Sequence, residues 1–188
     1  MQGNLRKFER ALTHLNNLLQ INDIKIDIFA IGGFALMCHG VRGEELTEDI
    51  DSLLSHSYSD DVIKLIADTG REVGLDDDWL NTQWSEINHF DDSIYKDIIF
   101  VESAYNFSNI SVKICTLESL LKMKIMQVEE VMAYDDLPLQ DVLYIMSELN
   151  LTSNEFLLLV HKFDLRDSCR NAVSVILDLL HRRELTGT

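Results

Sequence analysis

Two acidic side chains separated by one residue form the part of this sequence that could bind a metal ion. Asp49 and Asp51 flank Ile50 in a segment whose alternation of polar and apolar residues predicts a strand. Because side chains two residues apart on a strand point to the same face, the two carboxylates would lie side by side, which suits a hard divalent cation bound through oxygen. An exposed strand end that simply carries acidic residues explains this short motif equally well.

A pair of glycines precedes the acidic motif. Gly32 and Gly33 follow a predicted strand and begin a predicted helix, so the backbone there could approach a phosphate closely, with N–H groups pointing at its negative charge. Taken alone, such a pair is more often a tight turn that binds no ligand. Together with the acidic motif, it indicates a site for a phosphate and a metal ion.

The charge balance limits what such a site could bind. The chain has 188 residues, of which 32 are acidic and 16 are Lys or Arg, giving a formal net charge of −16. This charge repels a phosphate backbone at long range and argues against a broad nucleic-acid-binding surface. An anionic substrate would therefore need a local cation or a metal ion.

The composition is that of a globular protein, with 46% hydrophobic and 26% charged residues. The three cysteines are far apart and form no CxxC pair, which predicts buried, reduced thiols rather than a disulfide or a zinc site. The longest apolar run, Phe29 to Cys38, is too short to cross a bilayer, and the first ten residues are polar and charged. We therefore expect a cytoplasmic protein that does not contact a membrane.

The hydrophobic pattern predicts the elements that would position these residues. Helices are predicted from Leu5 to Leu19, from Phe34 to His39 and from Ser59 or Asp60 to Gly74, and strands over Ile24–Ile31, Asp49–Ser55, Ile98–Val101 and Ile110–Cys115. After Cys115 the apolar residues recur only at helical spacing, and Thr152 with Glu155 forms a capping-box pattern. We therefore predict an α+β fold: a core over residues 1–115 with about four strands, and a helical C-terminal region over residues 116–188 packed on that core.

Several motifs together resemble a known family. The first block contains Gly32, Gly33, Ala35, His39 and Gly40, followed by Thr47, Asp49, Ile50 and Asp51. This spacing resembles the nucleotidyltransferase superfamily with the DNA polymerase β-like fold, and it is similar to bacterial AbiEii-like nucleotidyltransferases, including toxins of abortive-infection and toxin–antitoxin systems. Further similarities are Asp78–Asn81, a lysine at position 124 and an aspartate at position 141. The resemblance covers roughly residues 28–149.

The resemblance implies a nucleotidyltransferase-like mixed sheet flanked by helices and followed by a helical bundle. It also implies transfer of a nucleoside monophosphate from an NTP to a hydroxyl of RNA, protein or a small molecule, with release of pyrophosphate. The residue roles that it implies are metal binding and catalysis by Asp49 and Asp51 with Mg²⁺, a catalytic Lys124, and nucleotide binding by Gly32, Gly33 and Thr47. An antitoxin or another partner protein could accompany such an enzyme.

The sequence departs from this family where a third metal-binding acid is expected. Related proteins place that acid on a later strand, where this chain has Lys113, which leaves Glu102 or Asp97 as alternatives. Two functions therefore stay open: an active nucleotidyltransferase, or a catalytically degenerate nucleotidyltransferase fold that acts as a protein- or nucleotide-binding module.

Other conspicuous side chains are predicted to have structural roles. His39 is expected to cap the C-terminal end of its helix rather than act as a base. Trp79, Trp84 and Phe90 lie in an acidic stretch, where packing as a lid over the sheet is favoured over stacking on a nucleotide base.

Overall fold

The chain folds into two compact units, residues 1–116 and residues 117–188. The structure is a computed structural model that describes residues 3–41, 47–54, 57–82, 97–133 and 135–186. Within these residues it contains seven helices and a small mixed sheet of three strands, accompanied by a separate strand pair. The predicted α+β class is therefore confirmed.

The first unit contains all the strands of the described residues. In chain order its elements are α1 (Gly3–Ile21), β1 (Ile26–Ala30), α2 (Gly32–Cys38), β2 (Ile50–Asp51), α3 (Asp60–Val73), β3 (Leu80–Asn81), β4 (Phe100–Glu102) and β5 (Ile110–Cys115). The three-stranded sheet has the order β1-β5-β4, in which β1 runs parallel and β4 antiparallel to β5. Strands β2 and β3 form a parallel pair.

An antiparallel junction connects the strand pair to the three-stranded sheet. Ala30 at the end of β1 forms a bridge with Ser52, which follows β2. Two backbone hydrogen bonds flank it: the N–H of Ile31 donates to the carbonyl of Asp51 at 3.0 Å, and the N–H of Leu53 donates to the carbonyl of Phe29 at 2.9 Å. The acidic motif is thereby held against the end of β1, where α2 begins.

Helices α1 and α3 follow the sequence prediction closely. The predicted apolar stripe of α1 is buried, including Phe8, Leu12, Leu15 and Leu19. Helix α3 begins after Ser59, whose side chain accepts a hydrogen bond from the N–H of Val62, and it ends at Gly74 in the left-handed conformation with φ 74°. Both ends of α3 are therefore where the capping residues predict them.

Strand β3 is the element that the sequence analysis missed, so the first unit has five strands in its described part rather than about four. Two residues are too few to show the alternation that identifies a strand. The preceding Trp79 fixes its position, since the carbonyl of Trp79 accepts from the N–H of Ile50 at 2.6 Å and its Nε1–H donates to the carbonyl of Ile66 at 2.9 Å.

Trp79 is fully buried, as the packing interpretation requires. Its ring stacks on Phe8 with the ring centroids 6.5 Å apart, and Phe8 in turn meets the edge of Phe34 at 5.4 Å. These contacts join α1, α2 and the start of β3 in one aromatic cluster. Trp84 and Phe90, the other predicted lid residues, lie outside the described residues.

The second unit consists of helices in its described part. They are α4 (Leu117–Val131), α5 (Leu137–Glu148), α6 (Ser153–Lys162) and α7 (Arg170–Thr186). The predicted capping box at the start of α6 is confirmed, because the Thr152 side chain accepts from the N–H of Glu155 and the Glu155 carboxylate accepts from the N–H of Thr152. Among the helices of the described residues, none combines the length and apolar character needed to cross a membrane.

Replacing Trp79 by phenylalanine tests the importance of this buried ring. We expect Trp79→Phe to lower the free energy of unfolding by about 1–3 kcal/mol, because the variant loses a buried hydrogen bond and leaves unfilled space. Equilibrium urea unfolding would measure this loss, with Tyr144→Phe, which changes an exposed aromatic ring, as the control. Equal unfolding midpoints for the two variants would contradict the packing role.

Candidate functional site

The structure places Asp49 and Asp51 on one side of β2. The intervening Ile50 is fully buried, whereas both acids are half-buried, so alternation along the chain turns both carboxylates away from the core. We call these two residues the acid pair. Across the parallel pair, Asp51 is the register partner of Asn81 on β3, which therefore faces the same side.

Gly32 lies directly against the carboxylate of Asp51. A Cβ atom built on Gly32 would be 2.8 Å from Oδ2 of Asp51, closer than real side chains approach one another. Gly32 also has a φ of +60°, a conformation that is costly for a residue with a side chain. The Gly-Gly turn and Asp51 therefore meet: a side chain at position 32 would be strained by the positive φ and would have to displace the Asp51 carboxylate.

The surroundings of Asp49 disfavour its ionised form. Burial raises the pKa of Asp49 above its ordinary value, a hydrogen bond from Asn81 lowers it, and the neighbouring charges of Asp78 and Glu48 raise it further. In that hydrogen bond, Nδ2 of Asn81 donates to Oδ2 of Asp49 at 3.2 Å. A cation at this position would favour the ionised form of Asp49.

Asn81 is a site residue that the sequence analysis did not assign. Asn81 is part of the segment Asp78–Asn81 that resembles the nucleotidyltransferase family. Its proximity to the acid pair, however, depends on the pairing of β2 with β3. That pairing was not predicted. The available signal was the polar side chain itself, which follows two apolar residues at the end of an acidic turn.

A lysine stands on the same face of the sheet as the acid pair. Lys113 on β5 is the register partner of Phe29, which precedes the Ala30–Ser52 bridge and so shares the side of Asp51. Its Nζ lies 5.4 Å from the centroid of the Phe29 ring and 3.7 Å from Oε1 of Glu102. We call this surface, defined by Phe29, Asp51, Glu102 and Lys113, the polar face.

The alternatives for a third acid are weakly supported by these positions. Glu102 lies on the polar face, but its side chain is 78% exposed and faces Lys113. Asp97 is exposed, before the start of β4. Within the described residues, no three His, Cys, Asp or Glu side chains converge as a metal-binding group.

The acid pair nevertheless fits one Mg²⁺ ion. Mg²⁺ is commonly bound by one or two carboxylates, with water and substrate phosphate oxygens completing its coordination. Asp49 and Asp51 supply that number of carboxylates, and the pKa of Asp49 is raised first by burial and then by the charges of Asp78 and Glu48, which a bound ion would offset. The acid pair therefore offers ligands for a single ion.

Thr47 lies in a different environment from the Gly-Gly turn. It is buried and lines a cavity of about 250 Å³, together with Lys7, Phe8, Glu48, Gly74, Leu75 and Asp76. Neither Gly32 nor Asp51 lines this cavity. The structure thus places Thr47 beside α1 and the end of α3, so its predicted nucleotide contact gains no support from this placement.

His39 has the structural position that the sequence predicts. It is the C-cap residue of α2, and its Nε2 lies 2.8 Å from the carbonyl oxygen of Cys115 at the end of β5. This hydrogen bond connects α2 with the sheet. The imidazole therefore fixes the helix that carries Gly32 and Gly33.

Lys124 belongs to the second unit, where its charge is balanced locally. Its Nζ lies 2.9 Å from Oδ2 of Asp141 and donates to Oε1 of Gln127 at 3.0 Å. Only 12% of the Lys124 side chain and 2% of the Asp141 side chain are exposed. The two second-unit residues of the family resemblance thus pair with each other and connect α4 to α5.

No protein-family model, no curated protein and no solved structure matches this chain. Within the first unit, the approach of Gly32 to the Asp51 carboxylate is the feature that joins the Gly-Gly turn to the acidic motif.

Cys38, the cysteine nearest the Gly-Gly turn in sequence, has a thiol of low reactivity. Burial raises the pKa of Cys38 to about 11, although a hydrogen bond with Tyr105 acts in the opposite direction. Cys115 and Cys169 are buried, and all three thiols are free. Because the thiolate is the nucleophilic form, Cys38 is unsuited to nucleophilic catalysis near neutral pH.

Alkylation kinetics would test this. At pH 8 we expect Cys38 in the native protein to react with iodoacetamide more than about 100-fold more slowly than in the unfolded chain, because far less thiolate is present. Pulse labelling and peptide mapping by mass spectrometry would measure each cysteine separately. A native rate within a few-fold of the unfolded rate would contradict the raised pKa.

Proposed function

We propose that this protein is a Mg²⁺-dependent nucleotidyltransferase that moves a nucleoside monophosphate from an NTP to a hydroxyl of RNA, protein or a small molecule. The observation that supports this most directly is the contact between Gly32 and the Asp51 carboxylate, at 2.8 Å from a built Cβ. This contact brings the backbone turn and the Asp51 carboxylate together. A molecule with a charge of −16 thereby gains a place where a bound cation can accept a triphosphate.

The proposal gives each first-unit residue a separate task. Asp49 and Asp51 would hold the ion, and Gly32 with Gly33 would leave room for the phosphates to approach the backbone. Asn81 holds the Asp49 carboxylate by its hydrogen bond. When bound, Mg²⁺ supplies neutralisation of phosphoryl oxygens and of the charge on the departing pyrophosphate.

The protein's own contribution is mainly positioning. Phosphoryl transfer needs little covalent chemistry from side chains, so a rigid placement of the carboxylates and of the phosphate-facing backbone is what the fold must provide. The antiparallel junction at Ala30 and Ser52, which holds the chain after β2 against the end of β1, supports this part of the proposal. Lys113 would add a positive charge on the polar face, where it could balance phosphate charge as a point cation.

We further propose that the first unit has a nucleotidyltransferase-like fold. The succession of β1, a Gly-Gly helix and an acidic strand that returns beside β1 supports this assignment. A cytoplasmic location and an antitoxin or other partner protein belong to the same proposal. Lys124 has no assigned step in it, because its ammonium is already paired with Asp141.

A second candidate is a catalytically degenerate nucleotidyltransferase fold that binds a nucleotide or a protein without turnover. Lys113 favours this candidate, because it places a cation on the strand where the family resemblance implies an acid. A lysine there can attract an anionic ligand but cannot bind a second metal ion while protonated.

Removing both negative charges of the acid pair separates function from stability. We expect Asp49→Asn with Asp51→Asn to reduce transfer of label from α-³²P-labelled NTPs by more than about 100-fold, because the ion loses its ligands. The melting temperature should stay the same or rise, since repulsion from Asp78 and Glu48 falls and an Asn side chain can still accept from Asn81. Label transfer to protein and to added RNA, tested with each of the four NTPs, would measure this.

The control results distinguish the candidates. Wild-type protein that binds an NTP with Mn²⁺ but transfers no label would favour the binding module. Absence of NTP binding in the wild type would overturn the transferase and the nucleotide-binding form of the second candidate, and co-purification of a stoichiometric partner would then favour the protein-binding form. Unfolding of the double variant would instead show that the acid pair has a structural role.

The contact at position 32 gives a prediction with a matched control. Gly32→Ala and Gly74→Ala should each lower the free energy of unfolding by about 1–2 kcal/mol, because both glycines have positive φ. Only Gly32→Ala also displaces the Asp51 carboxylate, since a Cβ at Gly74 meets nothing within 4 Å. We therefore expect at least about tenfold weaker Mn²⁺ binding in Gly32→Ala and unchanged binding in Gly74→Ala.

Isothermal titration of Mn²⁺ into each variant, at a temperature where both variants are folded, would measure these affinities. Equal Mn²⁺ affinity in the two variants would contradict the idea that the turn and the acid pair form one site.

A further inference from the structure

A groove in the second unit combines an apolar floor with a basic rim. It encloses about 520 Å³ along α6, α7 and the turn between them. The apolar side chains that line it are Leu157, Val160, Val173 and Leu177. The basic side chains that line it are His161, Arg166 and Arg170.

The positive rim is unusual in a chain with a net charge of −16. Two lysines of this unit have acidic partners: Lys124 pairs with Asp141, and Lys162 with Glu118. Across the described parts of the chain, neither Arg166 nor Arg170 forms an ion pair with an acid. Their guanidinium groups are exposed and available to an external anion.

The floor leaves apolar surface next to solvent. Leu157 is 43% exposed, and its neighbour Leu158, outside the groove, is 69% exposed, whereas Val160 and Val173 form the buried base. Covering such surface contributes about 25 cal/mol for each Å² removed from water. A volume of about 520 Å³ also lies within the range of pockets that enclose small molecules.

We propose that this groove binds a small amphipathic anion, with a single carboxylate at Arg166 and Arg170 and an apolar tail over Leu157 and Val160. A guanidinium group matches a carboxylate because it can donate two parallel hydrogen bonds, and Arg170 doubles that capacity. Asp167 also lines the groove, and its carboxylate would repel a second negative charge on a ligand. The rim therefore favours a ligand with a single anionic head group. A medium-chain fatty acid has the required chemistry.

The ligand is inferred to be a free molecule rather than a membrane lipid. The strong negative charge of the chain repels an anionic bilayer surface, whereas a monomeric anion can reach the local positive rim. This site is independent of nucleotidyl transfer, and its test does not require an NTP.

Titration calorimetry with two amphiphiles of equal tail length would test the proposal. We expect the full chain to bind one decanoate below its micelle concentration, with an affinity that falls as salt increases, and to bind decyltrimethylammonium at least tenfold more weakly. The two probes share the apolar tail and differ in the sign of the head group. Their difference therefore isolates the basic rim.

Matched variants locate the site. Arg166→Gln with Arg170→Gln should weaken decanoate binding at least tenfold, whereas Arg6→Gln with Arg10→Gln, two exposed arginines with the same spacing on α1, should leave it unchanged. All four arginines are exposed, so these variants are expected to fold, which circular dichroism would verify.

The floor has its own matched pair. Leu157→Asn should weaken decanoate binding, whereas Leu158→Asn, which alters the adjacent side chain outside the groove, should not. The proposal would be overturned if decanoate did not bind, if the two amphiphiles bound equally, or if the Arg166→Gln, Arg170→Gln variant bound decanoate as tightly as the wild type. A parallel titration with vesicles that contain fatty acid separates the two sources of the anion, and binding to the vesicles alone would also overturn it.

Discussion

The carboxylate of Asp51 occupies the space that a side chain at position 32 would need, and this exclusion ties the fold of the first unit to its candidate site. The contact exists because β1 ends at Ala30, α2 begins at once with a glycine in a positive-φ conformation, and β2 returns antiparallel beside the end of β1. A bulkier residue would have to move either the turn or the acid. The backbone conformation at Gly32 and the position of the Asp51 carboxylate therefore depend on each other.

The cations of this chain differ in how closely acidic side chains balance them. Arg71 is held by Asp68 and Asp77, and Lys124 by Asp141, so these charges are balanced within the fold. Lys113 on the polar face has only a loose, largely exposed acidic neighbour. In a strongly acidic chain, such weakly balanced cations mark the places where an anion meets the least repulsion.

Local sequence signals predicted local structure well. The stripe of α1, the caps of α3 and the capping box of α6 each depend on residues within a few positions of one another, so their patterns are visible in the chain. The pairing of Lys124 with Asp141 and the approach of Asn81 to Asp49 were not predicted, because each joins segments far apart in sequence. Strand β3 was not predicted, because two residues are too few to show the polar and apolar alternation of a strand.

Strand β2 is short, but both of its edges are hydrogen-bonded. On one edge the N–H groups of Ile50 and Ser52 donate to Trp79 and Asn81, and on the other the junction with β1 adds two further bonds. Because β2 is hydrogen-bonded on both edges, its register cannot shift without breaking several of these bonds at once. Insertions and substitutions in the adjoining connections can therefore leave the backbone of Ile50 and Asp51 in place.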